Sequence, residues 1–350
     1  MKSSRCTSFG AIFVVSVLLG GCGGSESPTS ARSIMPQTSS LAMSAARERS
    51  WMLPEAHSED LLYVSAYVAY QESDVYVYDY KTGKQVGLLT GFDAPHGQCV
   101  DKKGDVWIAN TGGASVIEYA HGGSAPLATL AADGAPWGCS IDPTTGDLAI
   151  TTWTYGYGSS NLIVWKDAKS DPRSYSSYGC PEMWSPGYDS HGNLYVECQS
   201  GPPPGYVWEL PHGGSALKKV SIDRLIGAAG GIMWDGRYLA LTVQPYNGQD
   251  ATQIYQAAEK TSGDLTVVHR TYIKDTCWKN SDTVVLIQPF IVGKKNTPSN
   301  QTQGEVLAGG NLPCKDRFDF WKYPSGGDPE SELKSAPTTA TGQSVSLVVR

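Results

Sequence analysis

The chain has 350 residues, and its 34 acidic residues outnumber its 27 basic residues, which gives a net charge of −7. An acidic surface does not concentrate phosphate backbones, so the composition argues against general binding to nucleic acid. The 39 glycines, 21 prolines and 19 tyrosines favour short strands and tight turns over helices.

The N-terminus has the layout of an export signal. Lys2 and Arg5 precede the apolar run Phe9–Leu19, which is shorter than the roughly 20 residues needed to span a bilayer. This layout predicts a signal peptide over residues 1–21. Its end, Leu19-Gly-Gly-Cys22, resembles a bacterial lipobox. The resemblance implies that Cys22 is lipidated and anchors the mature chain to a membrane of the bacterial cell envelope. Gly23 rather than aspartate follows, as in lipoproteins of the outer membrane.

A polar segment follows the signal. Residues 22–58 are rich in Ser, Ala, Thr and Arg and show no apolar periodicity over most of their length. They are predicted to be a flexible tether that leads to a domain over residues 59–350. The apolar Trp51–Pro54 either docks on that domain or stays loose.

The remainder of the chain repeats. Gly-Gly turns recur in matched surroundings, and a second motif ends in aspartate at intervals of 41, 47 and 46 residues, at Asp101, Asp142, Asp189 and Asp235. A period of this size with four strand-like segments is typical of one blade of a β-propeller. A single four-stranded sheet cannot bury both of its faces, whereas blades stacked around an axis bury each face against a neighbour.

The ends of the repeat predict how the ring closes. The first repeat begins at Leu61 without an inner strand, and residues 343–350 form an apolar strand with no blade after it. We expect this last strand to complete the first blade, which removes an open sheet edge. The prediction is an all-β, six-bladed β-propeller closed by its C-terminal strand. Blades two to six are expected at the following ranges: 91–132, 133–179, 180–227, 228–273 and 274–340, the last with an insertion near 293–312.

This repeat resembles the six-bladed propellers of the NHL, gluconolactonase-like and TolB-like superfamily, and in particular its bacterial lipoproteins. The resemblance implies a metal-dependent lactonase-like hydrolase or a lyase acting at the channel mouth as one alternative. A non-catalytic binding protein is the preferred interpretation, and an assembly scaffold is the third. A propeller hosts many activities, so the choice depends on the site rather than the fold.

One face of the predicted propeller gathers aromatic and polar residues. Inner-strand starts and the loops between second and third strands share this face, and that composition is common in ligand sites. We predict that it binds a glycan, a peptide or a protein. The candidate ligand-binding residues are His96, Asn110, Trp137, Tyr155, Tyr157, Glu182, Trp184, Gln199, Gln244, Tyr246 and Asn247. The alternative is an ordinary set of surface loops, which also contain Tyr, Gly and Asn.

The sequence carries no recognisable catalytic signature. The sequence contains no GxSxG, HExxH or P-loop motif, so we assign no catalytic residue and expect no cofactor or metal. The repeated aspartates are expected to cap tight turns, and His121 and His212 to be exposed turn residues. Asn110 and Glu182 imitate part of the metal-binding set of gluconolactonase-like propellers, which keeps the enzyme alternative open.

Six cysteines remain after the signal and Cys22, an even number that suggests disulfides in an exported chain. The predicted pairs are Cys99–Cys139, Cys180–Cys198 and Cys277–Cys314. The alternative is buried free thiols. A one-residue offset from the aspartate motif counts against the first pair, because it turns the two side chains to different faces of their strands.

Overall fold

The computed structural model describes residues 49–68, 72–153, 160–169, 171–201, 204–244, 252–274, 290–293, 304–308, 317–334 and 340–346. These residues form six antiparallel sheets and two short 3₁₀ helices, Pro54–His57 and Lys166–Ala168. No helix in this part of the chain is both long and apolar enough to cross a membrane. The predicted all-β propeller architecture is confirmed.

The first three sheets follow the chain in order. Sheet 1 contains β1 (Trp51–Met52), β2 (Leu61–Val68), β3 (Glu72–Asp79) and β4 (Gln85–Leu89). Sheet 2 contains β5 (Pro95–Val100), β6 (Val106–Asn110), β7 (Ser115–Tyr119) and β8 (Pro126–Ala131). Sheet 3 contains β9 (Ala135–Ile141), β10 (Leu148–Trp153), β11 (Leu162–Trp165) and β12 (Arg173–Tyr175).

The remaining sheets repeat this plan. Sheet 4 contains β13 (Glu182–Met183), β14 (Gly187–Tyr188), β15 (Leu194–Gln199), β16 (Tyr206–Leu210) and β17 (Lys218–Val220). Sheet 5 contains β18 (Ala228–Trp234), β19 (Leu239–Gln244), β20 (Gln253–Glu259) and β21 (Leu265–Tyr272). Sheet 6 contains β22 (Phe290–Gly293), β23 (Gly304–Ala308), β24 (Arg317–Tyr323) and β25 (Ser331–Lys334).

The last described strand, β26 (Ala340–Ser346), returns to sheet 1 and pairs antiparallel with β2, with Leu61 opposite Ser346. The pairing expected between the end of the chain and the strand at Leu61 is therefore present, although it begins three residues earlier than predicted. It gives β2 a hydrogen-bonded partner on each edge, because β3 pairs with its other side.

The core lies between consecutive sheets. Five clusters of buried apolar side chains each lie between two consecutive sheets, from the pair of sheets 1 and 2 to the pair of sheets 5 and 6. Sheet 6 in turn contacts sheet 1, where the rings of Phe320 and Tyr80 lie 6.0 Å apart. Each sheet thus buries its faces against its neighbours, as the repeat logic requires. Trp107, Trp165 and Trp321 are among the most buried of these side chains.

The structure decides one open alternative and corrects one expectation. Trp51–Met52 docks on the domain as the outermost strand of sheet 1, where Trp51 lies opposite Leu88 of β4. The segment near 293–312, predicted to be an insertion of little strand character, contains β23, which pairs with β22 and β24. Both strands are short and are held by their neighbours in the sheet, so local composition alone does not reveal them.

The repeated aspartates cap turns, as predicted. Asp101 Oδ1 accepts hydrogen bonds from the backbone N–H of Lys103 at 2.8 Å and of Asp105 at 2.9 Å. Asp142, Asp189 and Asp235 accept equivalent bonds from the amides that follow them. The carboxylates thus hold the tight turn at one end of sheets 2 to 5.

The expectation for the turn histidines is only half right. His212 is exposed, but His121 is partly buried, and its Nε2 lies 2.9 Å from the carbonyl oxygen of Glu59. The neighbouring Gly122 N–H donates to the Tyr63 hydroxyl of sheet 1 at 2.9 Å. This turn therefore fastens sheet 2 to the preceding sheet.

Disulfides join Cys99 to Cys139 and Cys180 to Cys198, so these two predicted pairs are confirmed. Cys277 and Cys314 lie outside the described residues. The one-residue offset that counted against the first pair was interpreted wrongly. Cys99 lies on sheet 2 and Cys139 on sheet 3, and two sheets that face each other must direct opposite faces into their shared interface.

Candidate functional site

The inner strands share a local irregularity that shapes one end of the sheets. The pairing register slips by one residue between Pro95 and Gln98 in β5, at Trp137 in β9, and between Ala229 and Ile232 in β18. In sheet 4 the inner strand is interrupted between β13 and β14 at the corresponding place. Bulges of this kind redirect side chains and are common beside functional sites.

Three aromatic side chains arise from these bulges in sheets 2, 3 and 4: His96, Trp137 and Trp184. The Trp137 ring is the centre of the group, with the His96 ring 4.2 Å away and tilted by 30°. The Trp184 ring lies 6.4 Å from Trp137 at an interplanar angle of 87°. Trp153, at the end of β10, adds a third indole 5.3 Å from Trp137 at 60°. The structure thus brings together three of the predicted site residues and one that was not predicted.

These indoles line a pocket of about 170 Å³, which we call the tryptophan pocket. Its lining residues are Trp137, Trp153, Glu182, Met183 and Trp184. Trp153 is 38% exposed, whereas Met183 is buried. The pocket is therefore preformed, mostly apolar and provided with one carboxylate, the usual makeup of a small-molecule site.

His96 supports the pocket from behind. Its Nδ1 lies 3.0 Å from the Ala94 carbonyl oxygen and 2.8 Å from the Thr111 hydroxyl. That hydroxyl donates its proton to the Pro136 carbonyl oxygen at 2.6 Å, so Nδ1 must carry the proton in both contacts. Burial lowers the pKa of His96, and the hydrogen bond to Ala94 only partly opposes this effect. A neutral imidazole therefore stacks on Trp137 at neutral pH.

The predicted amide residues have a different role. Asn110 Oδ1 accepts from the Asp93 N–H at 2.6 Å, and its Nδ2 donates to Ser115 Oγ at 3.2 Å. Gln199 Oε1 accepts from the Ala229 N–H at 3.1 Å, and Gln244 Nε2 donates to the carbonyl oxygen of the same residue at 3.1 Å. Asn110 thus holds a loop of sheet 2, Gln199 joins sheet 4 to sheet 5, and Gln244 makes its contact within sheet 5. The remaining candidates Tyr155, Tyr157, Tyr246 and Asn247 lie outside the described residues, as does Cys22.

A polar cluster is buried where sheets 4 and 5 meet. Glu197 of β15 is fully buried, and its Oε2 accepts a hydrogen bond from the Gly230 N–H at 2.6 Å. Burial raises the pKa of Glu197 well above its usual value, and the bond from Gly230 only partly opposes this. Glu197 Oε1 is one of several buried side-chain atoms in the described part of the chain that have no hydrogen-bond partner, as are Ser185 Oγ and Thr242 Oγ1. A protonated carboxyl is thus the form that this interior favours.

The opposite end of the sheets contains the other polar features. Asp101, Asp105 and Glu118 bring carboxylate oxygens within 4.8 Å of one another. Burial, followed by the charges of Asp105 and Asp101, raises the pKa of Glu118. Two larger grooves, of about 680 and 520 Å³, lie between neighbouring sheets and are open and lined mainly by turn and outer-strand residues. The smaller groove contains the edge contact between the Tyr80 and Phe320 rings, but neither groove is lined by a tryptophan. The tryptophan pocket, where three indoles converge, is therefore the stronger candidate.

Two lining residues of the pocket, Trp153 and Met183, were not among the predicted site residues. Trp153 lies at the end of β10, directly before the loop that contains the predicted site residues Tyr155 and Tyr157. Its position next to that loop could therefore have identified it as a candidate. Met183 lies between two predicted residues, Glu182 and Trp184, and alternation along a strand would assign it to the opposite face. It reaches the pocket because the inner strand is interrupted directly after it.

Comparisons with known proteins find similarity in structure only. No protein family matches the sequence, and no curated protein matches it either. A chain of the nidogen/laminin complex aligns with a TM-score of 0.57 at 12% identity, over 83% of this chain and 98% of that chain. A protein of unknown function from Bacteroides caccae aligns with a TM-score of 0.55 at 13% identity, over 82% and 99%. At such identities the likeness concerns the fold alone, and it identifies that fold as a β-propeller.

Proposed function

We propose that this protein is a binding protein that holds its ligand in the tryptophan pocket. The observation that carries the proposal is the pocket itself, where three indoles from neighbouring strands converge on one concave surface. Large, rigid aromatic side chains give contact area at a small cost in conformational entropy. The nidogen/laminin structure is a complex of proteins, which supports a protein or peptide ligand over a glycan.

The geometry gives less support to a metal-dependent hydrolase. That alternative depended on Asn110 and Glu182 acting together as metal ligands. Both polar atoms of the Asn110 side chain are engaged in the loop between Asp93 and Ser115, and Glu182 lies among indoles and a thioether. Purified protein that contains near-stoichiometric calcium, magnesium, manganese or zinc would favour the hydrolase.

The binding proposal is tested with peptide and glycan arrays probed with wild-type protein and with Trp137→Ala. We expect at least one ligand whose binding falls by about tenfold or more in the variant, because a buried aromatic anchor carries much of the binding energy. The matched control is Tyr238→Ala, an aromatic substitution in the turn at the opposite end of sheet 5, which should bind as wild type. Ligands that bind equally well to all three proteins would refute the proposal.

We further propose that the propeller acts outside the cytoplasm, anchored through lipid on Cys22 and located at the outer membrane of a bacterial envelope. The support is the signal layout and lipobox resemblance of residues 1–22 together with two disulfides, which persist in oxidising compartments. In cells fed radioactive palmitate, wild-type protein should be labelled and fractionate with outer membranes. Cys22→Ala should lose the label and Cys6→Ala should keep it. Label retained in Cys22→Ala would refute the anchor.

A further inference from the structure

We propose that the tryptophan pocket binds an alkylated ammonium group, such as a quaternary ammonium or a methylated lysine side chain. This inference rests on the proposed function and adds the chemical class of the ligand. It depends on three features of the pocket: the angles between its indoles, its single charged residue and its size.

The indoles form the walls of a corner rather than a flat platform. The Trp137 and Trp184 rings stand almost perpendicular, at 87°, and Trp153 is inclined to Trp137 by 60°. A sugar ring stacks best on one broad, open aromatic face. Walls that meet at steep angles instead suit a compact, nearly spherical group that contacts several ring faces at once, which is how aromatic cages recognise alkylammonium ions.

The charge around the pocket favours a cation. Glu182 is the only charged residue among the five described residues that line it, and none of them is basic. The whole chain carries a net charge of −7, which attracts cations over a longer range. The His96 imidazole behind Trp137 is buried and neutral at physiological pH. It therefore places no positive charge against the ring that would weaken a cation–π contact.

The size selects a head group rather than a large molecule. The pocket volume is about 170 Å³, below the roughly 300–1,000 Å³ that encloses a drug-sized ligand. A trimethylammonium group fits such a space, and the rest of the ligand would extend past Trp153, the most exposed of the five lining residues. Both a free small molecule and a modified protein side chain satisfy this geometry.

The test compares a cation with its neutral isostere. Choline and 3,3-dimethylbutan-1-ol have the same shape, but only choline is charged. We expect choline to change the tryptophan fluorescence and to give a calorimetric signal, and the alcohol to bind about tenfold more weakly or not at all. A peptide containing trimethyl-lysine, compared with the unmodified peptide, separates a protein source from a free metabolite. Tighter binding of the peptide than of choline indicates the protein source.

Variants assign the effect to the pocket. Glu182→Gln should weaken choline binding by about fivefold, and Trp153→Ala should weaken it more strongly, because it removes one of the three indoles that line the pocket. Asp171→Asn removes an exposed carboxylate that precedes β12, the outermost strand of sheet 3, and should leave binding unchanged. Equal affinity for choline and its neutral isostere in the wild type would overturn the inference. If arrays yield a Trp137-dependent glycan or peptide while no ammonium compound binds, this inference fails and the proposed function stands.

Discussion

Glu197 offers the sharpest test of how the interior of this propeller is built. Its carboxyl is fully buried between sheets 4 and 5 and receives one backbone hydrogen bond, from Gly230. Because burial raises its pKa in the folded protein above the usual value of 4.5, the folded chain keeps the proton at pH values where the unfolded chain has lost it. The replacement Glu197→Gln preserves size and the acceptor for Gly230 but cannot ionise.

The sign and size of the effect follow from proton linkage. Below about pH 4.5 both states are protonated, and the stabilising effect of the protonated carboxyl is fully present. As the pH rises from there through the folded pKa, the free energy of unfolding of the wild type should fall, by at most about 1.4 kcal/mol per pH unit. Glu197→Gln should remove this contribution. It should lie within about 1 kcal/mol of the wild type at pH 4 and become the more stable protein at pH 8.

The assay is equilibrium unfolding in urea at intervals from pH 4 to pH 8, with the free energy obtained by linear extrapolation. Other titrating groups are common to both proteins, so their contributions cancel in the difference. A difference that stays constant across this range would show that Glu197 does not retain a proton on folding, and the account of the buried cluster would be wrong.

Two further predictions concern structural contacts. Gly122 and Gly213 occupy matching turns with φ of +69° and +68°, but a Cβ at Gly122 would lie 2.9 Å from the Ala56 carbonyl oxygen, whereas one at Gly213 would have open space. Both alanine variants should lose about 1–2 kcal/mol from backbone strain, and Gly122→Ala should have the lower melting temperature of the two; equal melting temperatures would contradict the docked turn. Replacing Cys99 and Cys139 together with alanine opens a loop of 40 residues and should reduce the urea-derived unfolding free energy by about 4 kcal/mol; a loss under about 1 kcal/mol would count against the bridge.

The sequence predicted the architecture well because the propeller repeats its own signals. Aspartate recurs at the tight turn that follows the inner strand of sheets 2 to 5, where it caps the turn. The spacing of these aspartates predicted the positions of most strands, and it put Cys99 and Cys139 on neighbouring inner strands. The fold was thus accessible from spacing alone. By contrast, β23 was missed because a short strand held by two neighbours needs little intrinsic preference of its own.

The candidate site was only partly predictable, for a physical reason. His96, Trp137 and Trp184 were correctly placed at one end of the sheets, yet the bulges that turn them toward each other depend on pairing between strands and leave no simple mark in composition. Asn110 and Gln199 have the residue types of ligand-binding groups, but an amide at a strand end serves equally well to satisfy nearby backbone groups. Only the hydrogen-bond geometry separates these two uses.

The pairing of β26 with β2 has a kinetic consequence. Leu61 and Ser346 are joined in one ladder although nearly all of the domain separates them along the chain, so a very long loop must close before that ladder can form. We expect sheet 1 to remain incomplete until late in folding, with β2 offering an unsatisfied edge to other nascent chains. Proteolysis or premature termination before Ala340 should therefore yield aggregates in place of a smaller functional protein.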